Sequence, residues 1–89
     1  MIFIPQLISL DYDHTFTADP ELWLSFIQAA EFRGHTVIVV TWRSDKTPVE
    51  GIPSHIKVYY TNMELKKAWC KIRGISPTIW SDDMPETIT

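Results

Sequence analysis

Apolar and polar positions follow two periods along this chain, and the periods alternate. Four short runs are apolar and rich in β-branched or aromatic residues: Gln6–Leu10 inside an apolar stretch that begins at Ile2, His35–Val40, Ile56–Tyr60 and Thr78–Trp80. Between them lie segments of helical spacing. Leu22, Trp23, Phe26, Ile27 and Ala30 share one helical face, and so do Leu65, Ala68, Trp69 and Ile72. Asp19-Pro20 reads as an N-cap followed by proline at the first helical position, and Gly34 and Gly74 read as helix stops. Thr61 or Asn62 is the expected cap of the second helix. The unbroken run from Val37 to Val40 fits a strand covered on both faces, whereas Lys57 marks the third strand as an edge. Pro48, Gly51 and Pro53 argue against a regular helix between Arg43 and Ser54. Strands alternating with helices predict an α/β fold: a minimal Rossmann-like three-layer sandwich, with a mostly parallel sheet of about four strands and right-handed crossovers.

The first strand ends in Asp11-Tyr12-Asp13, the second in Thr41, and the fourth runs into Asp82-Asp83. In a parallel sheet these C-terminal strand ends share one edge, where ligands bind. Two carboxylates one residue apart repel each other. Their placement makes sense if a cation sits between them, or if one attacks while the other moves a proton. The second helix begins near the same edge. At about 100° per residue, Lys66 sits on the flank of the Leu65 face and Lys67 faces solvent, which makes Lys66 the better site residue and Lys67 the fallback.

Length and composition narrow the setting. The 89 residues make one domain, 1–89, with a thin core helped by four tryptophans. A net charge of −3 gives no support to binding nucleic acid through counterion release, although Lys66, Lys67, Lys71 and Arg73 could form a local basic patch. The single Cys70 excludes an internal disulfide and a cysteine-based zinc site. Its expected place is on the second helix, partly packed against the sheet. Met1 to Pro5 lack a basic start and a long apolar core, so no signal peptide is expected; neither is a membrane span. A cytoplasmic location follows as the default. The edges of so small a sheet invite a homodimer.

D-x-D-x-T after an apolar strand, Thr after a second strand, a helix Lys, and D-D after a last strand resemble the four-motif pattern of the haloacid dehalogenase-like (HAD) phosphohydrolase superfamily. The resemblance runs from Leu7 to Ile88 and is nearest to small HAD-like hydrolases of bacteria and phages, through strings similar to Asp11–Trp23, Val40–Arg43 and Ile79–Pro85. It implies a phosphatase that hydrolyses phosphomonoesters through an aspartyl phosphate. Asp11 would be the nucleophile, and Asp13 the general acid and then base, with its backbone carbonyl on the metal. Thr41 would hold a phosphoryl oxygen, and Lys66 would neutralise the nucleophile and the phosphate. Asp82, with Asp83 directly or through water, would complete a site for Mg²⁺, whose preference for hard oxygen ligands suits four carboxylates.

Two departures from the pattern bear on activity. His14 stands where the superfamily usually has Gly, a residue that permits positive φ; its ring could instead touch substrate. The spacings Phe16–Asp19 and Thr41–Thr61 leave no room for a cap domain, so the expected site is open. Arg43 is a candidate for binding substrate phosphate. An open site admits a phosphorylated small molecule, such as a nucleotide or sugar phosphate, or a macromolecular phosphate end, and leaves nucleic acid open as a partner. The alternative is a catalytically weak HAD-fold protein that binds phosphate, a nucleotide or a partner, motivated by His14 and the reduced sheet. A phosphorylated receiver-type domain fits less well, because the middle strands end at Thr41 and Tyr60 rather than at an aspartate.

Overall fold

The computed structural model describes residues 3–89; Ile2, where the first apolar stretch begins, and Met1, with which the signal-peptide reading starts, lie outside the described residues. The elements run β1 (Leu7–Leu10), α1 (Pro20–Phe32), β2 (Thr36–Thr41), β3 (Val58–Tyr60), α2 (Lys66–Ile72) and β4 (Ile79–Ser81), with short 3-10 turns at Phe16–Ala18 and Pro85–Thr87. The sheet has four strands in the order β3-β2-β1-β4, and every pair is parallel. It is an α/β protein with a small Rossmann-like sandwich. No helix among the described residues is long and apolar enough to cross a membrane.

The period-2 pleat divides the core into two layers. Ile8, Leu10, Val37 and Val39 point to one face, where Ile27 and Ala30 of α1 cover them together with Tyr12, Phe16 and Ile56. Ile38 and Val40 point to the other face and meet Cys70 of α2, with Leu7, Tyr59, Trp69, Ile75 and Trp80 packed around them. The chain moves from β1 to β2 to β3 in one direction, with α1 and the 42–57 loop on the first face. It then crosses the sheet from β3 to β4 in the opposite direction, with α2 on the second face. Opposite directions on opposite faces give all the crossovers one hand, and they place a topological switch point beside β1.

Local signals explain the ends of α1. The Asp19 carboxylate accepts the Leu22 N–H at 3.2 Å, and Pro20 opens the helix. Gly34, at φ 88°, stops it. Its inward face is narrower than the spacing predicts, because Leu22 is exposed.

The second helix departs further. It begins at Lys66 after Leu65, and neither Thr61 nor Asn62 caps it. Leu65, Ala68 and Ile72, expected to face inward, are exposed, Ile72 at 81%; Lys66 and Cys70, four residues apart, point in, with Trp69 half-buried. The helix is rotated relative to its hydrophobic face because the interior beneath its first turn is polar. The strand limits differ from the sequence reading by one or two residues, and Thr41 belongs to β2.

Candidate active site at the sheet's C-terminal edge

The site forms where β1 and β4 end side by side. Leu10 pairs with Ser81, and the Asp11 N–H donates to the Ser81 carbonyl at 2.9 Å, so Asp11 and Asp82 are the first residues beyond the paired strands. Continuing the pleat from Leu7 and Ser9 turns the Asp11 side chain toward the α2 face. The Cα–Cβ bonds of a helix tilt toward its N-terminus, so the first residue of α2 projects its side chain toward this same edge. The C-terminal segment fixes that end of the helix, since the Lys67 N–H donates to the Ile88 carbonyl at 2.7 Å.

Lys66 is consequently buried, 2% exposed, with its ammonium on two carboxylates. Nζ donates to Asp11 Oδ1 at 3.0 Å and to Asp82 Oδ2. Asp11, Asp82 and Asp83 each offer an oxygen within 4.8 Å of the others. The Asp82 Oδ1 atom accepts the Met84 N–H at 2.9 Å, which sets the turn after β4. Thr15 was not singled out by sequence beyond its place in the D-x-D-x-T string. Its hydroxyl lies 3.4 Å from both Asp11 Oδ2 and Asp83 Oδ1 and ties the first loop to the last.

Burial raises the Asp11 carboxyl to about 7, with the Asp83 and Asp82 carboxyls adding to the shift and Lys66 opposing it. One ammonium is too little cationic charge for three clustered carboxylates. Hard oxygen donors this close could hold a divalent cation such as Mg²⁺ or Ca²⁺, which would offset the deficit of positive charge. Asp11, Asp82 and Asp83 are the residues that fit one.

The chain between Asp11 and Phe16 makes a wide turn. Phe16 N–H donates to the Asp11 carbonyl at 3.3 Å, and Thr17 N–H to the Tyr12 carbonyl at 3.0 Å. His14 occupies the left-handed region at φ 63°, so the histidine adopts the conformation for which glycine would be favoured. The turn directs Asp13 away from the carboxylate cluster. Its carboxylate receives two bonds from Arg43, Nη2 to Oδ1 at 2.8 Å and Nε to Oδ2 at 2.9 Å, and the guanidinium holds Asp13 below the usual carboxylate range. Arg43 also lies over the Tyr12 ring, 5.0 Å from its centre, and Nη1 donates to the Thr47 carbonyl at 3.1 Å. Arg43, expected at substrate, is therefore committed to Asp13 and the 47–48 backbone.

Thr41 is also placed differently from the expectation. It follows Val40, which points to the α2 face, so the pleat turns Thr41 toward the α1 face, away from Asp11. It is fully buried, its hydroxyl accepts the Arg43 N–H at 3.2 Å, and it does not line the hollow above the carboxylates.

That hollow, of about 220 Å³, is lined by Asp11, Asp13, His14, Trp42, Lys66, Asp82, Asp83, Met84 and Thr87. A larger one of about 470 Å³ runs along β3, between Tyr59, Tyr60, Trp69 and the 44–46 loop. It contains no carboxylate cluster and no buried charge, so the smaller hollow is the candidate site. Comparison with protein families, curated proteins and solved structures finds no match to this chain.

Proposed function

We propose that the protein is a Mg²⁺-dependent phosphohydrolase acting on phosphomonoesters through an aspartyl phosphate at Asp11. The observation that carries this reading is the buried Lys66 ammonium on Asp11 and Asp82, inside a three-carboxylate cluster at the switch point of a parallel sheet. A carboxylate nucleophile needs a fixed cation to limit repulsion from a phosphate dianion, and Lys66 supplies one within hydrogen-bond distance. A bound Mg²⁺ would add charge neutralisation of the transferring phosphoryl oxygens.

In the first step an Asp11 Oδ bonds to phosphorus, the ester P–O bond breaks, and its electron pair leaves on the alcohol oxygen, which takes a proton from Asp13. In the second step water attacks phosphorus, Asp13 takes its proton, and the Asp11 carboxylate departs, leaving inorganic phosphate. Asp13 is two residues from the nucleophile and lines the same hollow, but it performs the first role only after Arg43 releases it. Thr15, whose hydroxyl lies 3.4 Å from both Asp11 and Asp83 and can donate to either, would help hold the nucleophile in orientation.

The Asp13–Arg43 pair also favours a second reading, a protein that binds phosphate without turning it over, since a carboxylate kept ionised is a poor acid. Turnover of an aryl phosphate with Mg²⁺ and with chelator, beside Asp11→Asn, separates the two. The enzyme loses activity on chelation, and in the variant by roughly a thousandfold or more. Metal-dependent phosphate binding without turnover in either protein would establish the binder.

A further inference from the structure

Trp42 follows Thr41 at the end of β2 and lines the same hollow as Asp11, Lys66, Asp82 and Asp83. Its indole N–H donates to the Glu64 carbonyl at 3.0 Å, and its own carbonyl accepts the Met63 N–H at 2.8 Å. The turn that supplies both bonds holds Asn62 and Met63 at positive φ, 53° and 67°. Consecutive non-glycine residues keep such a backbone only where their surroundings hold it. The Trp42 side chain is thus held in place, half-buried, in the lining of the hollow that contains the carboxylates and Lys66. Met84, 42% exposed, and His14 line the same hollow.

Size and charge narrow what this site accepts. A hollow of about 220 Å³ is smaller than the roughly 300–1,000 Å³ of clefts that engulf a whole organic ligand. The phosphoryl group therefore fits within the hollow, and the organic part lies at its mouth, near Trp42. Lys66 is the only lysine or arginine among the residues lining the hollow. A second phosphate would find no further cation in that lining, so one phosphate fits better than two or three.

Building on the phosphohydrolase reading, we propose that the substrate is a nucleoside monophosphate, its base stacked on Trp42 and its phosphate on the Asp11–Lys66 floor. A free nucleotide and the phosphorylated end of a strand share this chemistry. The net charge of −3 favours the free nucleotide.

The test compares kcat/KM for adenosine 5′-monophosphate, ribose 5-phosphate, adenosine 5′-diphosphate and a 5′-phosphorylated oligonucleotide, in wild type, Trp42→Phe and Trp42→Ala. Ribose 5-phosphate is the same ester without the base. Stacking on one aromatic residue predicts a preference for the monophosphate over ribose 5-phosphate of about tenfold or more. The preference falls toward one in Trp42→Ala, through KM rather than kcat, and is partly kept in Trp42→Phe. The diphosphate is the poorer nucleotide. A higher kcat/KM for the oligonucleotide end than for the free monophosphate would keep the platform and overturn the free nucleotide as the substrate.

Equal use of the monophosphate and ribose 5-phosphate by wild type overturns the inference and leaves the phosphohydrolase standing. If no ester is turned over, the hydrolase reading fails separately. Quenching of tryptophan fluorescence by adenosine 5′-monophosphate with Mg²⁺, lost in folded Trp42→Ala, then still supports the platform, and its absence in wild type sinks it.

Discussion

Single residues at this site are held in conformations that work against their intrinsic preferences, and each has a measurable consequence. His14 is exposed and left-handed at φ 63°. An L residue there costs roughly 1–2 kcal/mol, and glycine gives back about 0.5–1 of the relief as chain entropy. His14→Gly should therefore stabilise the fold by roughly 0.5–1 kcal/mol in urea unfolding; a loss of stability would mean that the ring makes contacts which outweigh the strain. The Asp13–Arg43 pair bears on pH. Arg43 lowers the Asp13 pKa, and a general acid fails once it is deprotonated. Removing the guanidinium in Arg43→Gln should raise the Asp13 pKa and carry the alkaline limb of kcat/KM to higher pH, most clearly for a poor leaving group. An unmoved limb would remove Asp13 from the acid role.

At the scale of elements, the strands were legible because their signal is local: a β-branched run between turn residues specifies Thr36–Thr41 almost unaided. Helix α1 was legible for the same reason, through Asp19, Pro20 and Gly34. Helix α2 was not. Hydrophobic periodicity assigned its inward face to Leu65, Ala68, Trp69 and Ile72, yet three of these are exposed and Lys66 and Cys70 are buried. Periodicity assumes that burial follows apolarity, and at a charged site the strongest pull on a helix is an ion pair. Lys66 was found by its place near the strand ends; the rotation was hidden because it depends on Asp11 and Asp82, distant in sequence. The partners of Thr41 and Arg43 were not legible for another reason: the pleat parity at a strand end and the partner of a loop arginine are tertiary facts. The rotation predicts an inverted mutational pattern. Ile72→Lys should change stability by under about 0.5 kcal/mol, while Cys70→Leu, enlarging a fully buried side chain, should cost about 1–3 kcal/mol. The reverse order in thermal melts would restore the periodicity-based face.

For the whole molecule, the small sheet brings Asp11, Lys66, Asp82 and Asp83 to a single edge, so folding and proton binding are coupled there, and metal binding would be coupled to both. The Asp11 carboxyl stands at about 7 in the fold against 3.8 as a free side chain. Between those values the folded protein holds a proton that the unfolded chain has released. Through this group, the metal-free protein loses stability as pH rises from about 4 to about 7 and changes little beyond. At the proposed site Mg²⁺ would need the ionised carboxylate, so its binding below pH 7 would expel that proton, and apparent affinity should rise about tenfold per pH unit until it levels off near 7. The increment that Mg²⁺ adds to the thermal midpoint should accordingly be larger at pH 8 than at pH 5.5, since ligand binding stabilises in proportion to the logarithm of concentration over Kd. Calorimetric titration in two buffers of different ionisation enthalpy measures the proton directly. Release approaching one proton at pH 5.5, vanishing at pH 8.5 and absent in Asp11→Asn, would tie the raised pKa, the carboxylate cluster and the metal to one residue. Binding with no proton release and no pH dependence would place the cation away from Asp11, and an aspartate nucleophile assisted by a metal at this edge would fall with it.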